Sequence, residues 1–323
     1  MKSTINQYSV GSMFAGIGGI CLAFKRAGYK IKWANEIDKN ACITYSENFP
    51  EHKLIPGDVH RITDPEKLGY VDVITAGFPC QAFSVAGYRK GFNDSRGNLF
   101  FEIARFIDAI KPKAYFLENV KNLKGHDKGK TLRIIQEILT EKLGYSFHSF
   151  ILNSKDFNVP QTRERIYIIG FKDKTNECNF KEPEPIQSTR TIHNVLLKEI
   201  QPDKYYYKEN HQYYKTLIRE VRSEDTLYQW RRVYVRENKN GLCPTLTANM
   251  GTGGHNVPII KNSHGIRKLT PKECLRFQGF PDDFKIPEKM AISHLYKQIG
   301  NSVTVPVVEK IAEKLKFALE ESI

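Results

Sequence analysis

The chain has 323 residues, 40% hydrophobic and 26% charged, which suits a packed protein of one large domain plus a smaller one and excludes a disordered chain. No apolar stretch approaches the roughly 20 residues that span a bilayer, and residues 1–7 carry no apolar signal segment, so a soluble, cytoplasmic protein with no membrane partner is expected. A formal net charge of +13 points to a polyanionic partner, most simply nucleic acid.

Apolar runs and amphipathic stripes alternate through the first half. Residues 8–14 read as a strand, and 17–27 as a helix with Ile20, Leu22, Ala23 and Ala27 apolar. Residues 31–34 form a second strand, and 38–49 a second helix N-capped by Asp38. Residues 71–76 make a buried strand. Leu99, Phe100, Ile103, Phe106, Ile107 and Ile110 recur at helical spacing over 96–110. A strand over 114–117, a helix over 131–143, and strands over 145–152 and 166–171 close the series. This alternation predicts an α/β fold with a mostly parallel, doubly wound sheet. From about 172 to 263 the periodicity weakens, and Tyr, Asn, Gly and Arg become frequent. A second, smaller, loop- and β-rich domain is expected there. A final amphipathic helix over 307–319 is placed to pack back on the first domain. The resulting division is 1–178 with 294–323 for one domain, and 179–293 for the other.

Gly77-Phe78-Pro79-Cys80-Gln81 follows the buried run 71–76. Cys80 is thus a thiol at the carboxyl end of a strand, where open α/β sheets place their ligands. A buried cysteine ordinarily only packs. Beside a proline and polar Gln81 and Ser84, this one reads as a nucleophile. The six cysteines form no C-x-x-C pair, which argues against a disulfide framework and against a structural zinc site; no metal is expected. The P-C-x-x-C signature of zinc base deaminases is broken at Phe83.

Phe14-Ala15-Gly16-Ile17-Gly18-Gly19 lies where a strand turns into a helix. Glycines there let the backbone approach a ligand at a helix N-terminus. The G-x-G-x-x-G fingerprint is not met. Glu36, about 18 residues beyond Gly18, is placed for ribose hydroxyls. Asp58, after Gly57, ends a third strand and could reach an adenine amino group. Together these suggest an adenosine-containing cofactor, with S-adenosylmethionine favoured over NAD because no diphosphate-cradling glycine set is present. Glu118 ends the strand over 114–117; in so apolar a setting a raised pKa is expected, letting it donate to a ring nitrogen. Arg163 and Arg165 alternate before the strand over 166–171, so either could pair with Glu118 or a phosphate.

Seven motifs occur in order. They are Phe14-Ala15-Gly16-Ile17-Gly18-Gly19, Gly77-Phe78-Pro79-Cys80-Gln81, Glu118-Asn119-Val120, Gln161-Thr162-Arg163-Glu164-Arg165, residues 267–274, Gln278-Gly279-Phe280-Pro281-Asp282 and Gly300-Asn301-Ser302-Val303. Together they resemble the bacterial DNA cytosine-5 methyltransferases of restriction-modification systems, over essentially the whole chain. The resemblance implies that Cys80 attacks cytosine C6, that Glu118 holds N3 and the exocyclic amine, and that Arg165, with Arg163 beside it, serves the same catalytic centre. It implies S-adenosyl-L-methionine held by Phe14, Gly16, Ile17, Gly18, Gly19, Glu36, Ile37, Asp58, Val59, Pro79, Leu99, Asn301 and Ser302, with S-adenosyl-L-homocysteine as product. Since a stacked cytosine cannot reach a thiol, base flipping is implied. Residues 87–96 resemble a loop that closes over DNA, with Arg89 and Arg96 as contacts. Ala86 stands where the family often has a small polar residue.

The resemblance also implies double-stranded DNA as partner and a monomer on it. A cognate restriction endonuclease would be encoded alongside without being bound, and the protein would be nucleoid-associated. Further DNA contacts are expected from Gln81, Ser84, Arg231, Arg232, Thr245, Gly253, Gly254 and His255. Arginine suits guanine and asparagine adenine in the major groove; phosphate contact by the arginines and turn formation by the glycines stay open. Three other readings fit parts of the pattern. A tRNA cytosine methyltransferase shares Glu-Asn-Val and Pro-Cys, a non-catalytic DNA-binding module would leave Cys80 merely packed, and a dehydrogenase would need the missing glycine fingerprint.

Overall fold

The computed structural model describes residues 7–78, 99–238, 240–252 and 256–321. Its contacts divide the chain into two compact units, Met1–Leu152 with Glu164–Glu184 and Val307–Ile323, and Asn153–Arg163 with Pro185–Pro306. Residues 153–163 and 294–306 therefore cluster with the second unit, whereas the sequence boundaries at 178 and 294 divide the chain by expected role.

The first unit is built on seven strands: β1 (Ser9–Met13), β2 (Lys30–Glu36), β3 (Lys53–Pro56), β4 (Val73–Gly77), β5 (Ala114–Val120), β6 (His148–Asn153) and β7 (Glu164–Phe171). Their order is β3-β2-β1-β4-β5-β7-β6. The first five pair in parallel, and β7 runs antiparallel to β5. β1 is buried throughout and β5 from Ala114 to Asn119, as central strands covered on both faces must be. β1 pairs with β2 on one side and β4 on the other. The strand order reverses there, and that opens a crevice at the carboxyl ends.

Helices α1 (Gly19–Arg26), α2 (Lys39–Asn48), α3 (Leu99–Ile110), α4 (Lys130–Glu137) and α5 (Lys174–Asn179) belong to this unit. The Asp38 carboxylate accepts from the amides of Asn40 and Ala41, capping α2 as its sequence requires. The α3 stripe buries Phe100, Ile103, Phe106, Ile107 and Ile110 in a core shared with Trp33, Tyr115 and Leu117. The helix expected over 131–143 is α4 followed by a wider π-type turn over Ile138–Lys142.

The second unit carries a four-stranded antiparallel sheet of order β11-β10-β8-β9, from β8 (Leu227–Arg231), β9 (Tyr234–Asn238), β10 (Ile259–Asn262) and β11 (Gly265–Lys268). Helices α6 (Tyr214–Glu220), α7 (Pro271–Phe277) and α8 (Ile292–Asn301) accompany it. The motif Gly300-Asn301 thus ends a helix. α9 (Val305–Glu320) follows, and from Val307 on it lies in the first unit. There its carbonyls at Leu319 and Ala318 accept from the Tyr8 hydroxyl and the Asn176 amide at 2.9 Å each. Among the described residues no helix is long and apolar enough to cross a membrane, and no cluster of three metal-ligating side chains occurs.

Candidate active site

At the reversal point β1 runs into a tight turn. Phe14 takes a left-handed backbone, φ 53°, which is uncommon for a non-glycine residue and marks strain at functional turns. Gly18 caps α1 with φ 89°, and a Cβ there would meet the Phe49 ring at 2.3 Å, so glycine is required twice over. Glu36, at the end of β2, is buried and fixed by backbone donors. Its Oε2 accepts from Gly16 N at 2.7 Å, and its Oε1 from the amides of Ile37 and Asp38 at 2.8 Å each. Asn35 was not singled out in the sequence. Its amide donates to the carbonyls of Ile55 and Gly57, fixing the turn that leads to Asp58. Hydrogen bonds from the backbone and ring of His60 lower the Asp58 pKa.

The residues at these strand ends suit an adenosine group. A Cβ added at Gly16 or Gly57 would meet nothing within 4 Å, and Ile37 leaves 62% of its surface exposed beside the fixed Glu36. An exposed aliphatic side chain next to an anchored carboxylate offers one apolar face for a base and acceptors for ribose hydroxyls. Ile17 and Val59 are buried beneath this turn, and Leu99 opens α3.

The carboxyl ends of β4 and β5 form the second part of the site. Gly77 stands opposite Glu118 in register. The Glu118 Oε2 lies 3.5 Å from where a Gly77 Cβ would be, and its Oε1 is 3.1 Å from Arg165 Nε. Both side chains are nearly buried, at 11% and 13% exposure. The setting is therefore not the apolar one the strand pattern suggested, because a guanidinium lies beside the carboxyl. The neighbouring Asn119 side chain donates to Phe78 O at 2.8 Å, tying the last described residue of this segment to β5. Its value shows only in the fold, since Glu118-Asn119 reads in sequence as one polar pair.

The structure separates the two arginines. Arg165 sits on β7, opposite Val120. Arg163 precedes β7, in the second unit, so strand alternation does not govern it. It is buried and donates to the carbonyls of Leu246 and Ser302 at 2.6 Å and Gly300 at 3.3 Å. Ser302 is buried and Asn301 exposed, both at the end of α8 in this unit. Arg231 and Arg232 are exposed at the end of β8 and the turn beyond it, and the Thr245 hydroxyl donates to Thr162 O at 2.6 Å.

Pro79, Cys80, Gln81, Ser84, Arg89, Arg96, Gly253, Gly254 and His255 lie outside the described residues. Four of the five described cysteines are poor nucleophiles, while Cys178 is exposed on the surface. Cys21, Cys243 and Cys274 are buried, and burial raises their pKa values; burial pushes Cys42 up to about 11. A thiol so raised carries little of the thiolate that attacks.

Residues 8–317 fit the family model for C-5 cytosine-specific DNA methylases. The chain is 55% identical over 311 residues to the type II methyltransferase M.Bsp6I of Bacillus sp. (strain RFL6), covering 95% of this chain and 98% of that protein. It is 40% identical to the type II methyltransferase M.HpaII of Haemophilus parainfluenzae, covering 94% and 88%. A crystal structure of a Spodoptera frugiperda DNMT2 variant superposes with a TM-score of 0.74 at 20% identity, over 96% of this chain and all of that one. That likeness concerns the fold alone, a mostly parallel sheet with a smaller antiparallel one. The chain belongs to the C-5 cytosine-specific DNA methylase family. It is an enzyme, a DNA (cytosine-5) methyltransferase.

Proposed function

We propose that this chain methylates C5 of one cytosine within a fixed duplex sequence, using S-adenosyl-L-methionine and Cys80 as covalent nucleophile. The observation that carries the reading is the Glu118–Arg165 pair set over Gly77, three residues before Cys80 in the sequence. Cytosine C5 is a weak nucleophile until something adds at C6. The Cys80 thiolate forms a bond to C6 and leaves electron density at C5 and N3. Glu118 faces N3 and the exocyclic amine and shares a proton with N3 as that charge builds. Arg165 holds Glu118 in place and presents donors toward the base carbonyl. When bound, the cofactor supplies an electrophilic methyl on a sulfonium, which C5 accepts. Loss of the C5 proton then restores the double bond and expels Cys80, giving 5-methylcytosine.

Gly16, Gly18 and Gly19 line the cofactor turn, while Phe14, Ile37, Pro79 and Leu99 supply apolar contact and the buried Ile17 and Val59 back it. Glu36 takes the ribose and Asp58 the adenine amine. Asn301 and Ser302 are assigned to the cofactor by the family resemblance, and within the second unit Arg163 holds the Ser302 segment through its carbonyl. Residues 179–293 serve target recognition. A stacked cytosine must leave the helix to reach Cys80. The type II names of its relatives support a role in host-DNA protection beside a separately acting endonuclease, in a bacterial cell. Cys80→Ser is expected to abolish methyl transfer to duplex DNA while duplex binding persists. Surviving transfer would overturn the nucleophile, and label entering tRNA alone would overturn the substrate.

A further inference from the structure

The hairpin of β8 and β9 has two chemically opposite faces. Tyr228, Trp230 and Val235 pack with Leu217, Val221, Ile259 and Ile266 in an apolar cluster. On the other face Gln229 stands directly opposite Arg236, and Arg231 opposite Tyr234, as strand alternation requires. Gln229, Arg231 and Arg236 line a cavity of about 680 Å³ within the second unit. Among the described residues, none of these three side chains has a hydrogen-bond or ion-pair partner, and Glu237, the one carboxylate lining the cavity, pairs with neither arginine. Arg163, Arg165 and Arg267 all bond to carbonyls or carboxylates. Two unpaired guanidinium groups and an amide on one rigid ribbon form a donor-rich surface awaiting acceptors from a ligand.

The ribbon is stiffened for such a role. Trp230 Nε1 donates to Arg232 O at 3.0 Å, and Tyr213 stacks on the Trp230 ring with centroids 4.0 Å apart. The Thr245 hydroxyl, on the same cavity, is engaged by Thr162 O. Arg232 lies in the turn at the tip, and does not line the cavity. A guanidinium fork fits the paired O6 and N7 acceptors of guanine, while a glutamine amide can both donate and accept at a base edge.

We infer that Gln229, Arg231 and Arg236 read base edges in the major groove of the target, the two arginines on guanines, while Arg232 contacts the phosphate backbone. This rests on the duplex methylation proposed above. The test is methylation of a randomised duplex library, with each methylated cytosine mapped and its flanks counted. Arg236→Ala and Arg231→Ala should each relax selection at one guanine position by roughly 10- to 100-fold. Arg236→Lys keeps the charge and loses the fork, so it should relax the same position with an unchanged salt dependence of binding. Arg232→Ala should weaken binding alike on all sequences and flatten the salt dependence. If Arg236→Ala and Arg231→Ala keep the wild-type sequence preference, with melting temperatures unchanged, the assignment is wrong. If the wild-type chain methylates no duplex, the proposed function fails instead.

Discussion

The carboxyl end of the first sheet and the open face of the β8–β9 hairpin are both polar, yet they differ in how their polar groups are held. Glu36 accepts three backbone amides, and Glu118 faces Arg165. Gln229, Arg231 and Arg236 have no protein partner among the described residues. Chemistry on a small reacting centre needs groups fixed before the substrate arrives. Sequence reading needs groups whose bonds are completed only by the correct ligand, since an unpaired group penalises the wrong one. The difference is the one expected between a reaction site and a recognition surface.

Three substitutions probe that contrast, in falling order of effect. Glu118→Gln keeps the shape but removes the shared proton, so kcat should fall by ~10²–10⁴-fold, with duplex affinity little changed. A large loss of affinity with kcat intact would move Glu118 to the recognition side. Glu273→Gln attacks a held pair inside the second unit. The Arg267 guanidinium and Glu273 carboxylate are fully buried and bidentate at 2.7 and 2.8 Å, and Glu273 also accepts from Thr270 and Leu197. Breaking one side of such a pair should cost about 3–5 kcal/mol, read by denaturant unfolding; a change below about 1 kcal/mol would show that it is solvated. Asp38→Ala removes the α2 cap beside Glu36 and should cost about 1 kcal/mol. Because the Asp38 amide also donates to Glu36, cofactor affinity measured by calorimetry should weaken with it.

Legibility followed the same division. The glycine turn, Glu36, Asp58 and Glu118 were readable because each ends an apolar run, and strand ends in a parallel sheet converge on one edge. The Glu118–Arg165 pair was open to either arginine in sequence. Alternation cannot say where a strand begins, and β7 begins at Glu164, which leaves Arg163 to the carbonyls of Leu246, Gly300 and Ser302. The pairing of Gln229 with Arg236 was not readable. Six residues separate them, tyrosines and charges obscure the period, and only the hairpin register makes them neighbours. Asn35 was missed, and Asn119 stood in a motif without a role of its own, because each acts by bonding a distant backbone carbonyl, which no local pattern records.

The most direct test of the account is to trap the covalent step. A duplex carrying 5-fluorocytosine at the mapped target cytosine, incubated with the full chain and S-adenosylmethionine, cannot lose a proton from C5 after methyl transfer. Elimination of the thiol is then blocked. Mass spectrometry of the digested complex should find the methylated, fluorinated base bonded to the peptide bearing Cys80, and none with Cys80→Ser. An adduct at any other cysteine, or turnover with no adduct at all, would contradict the mechanism.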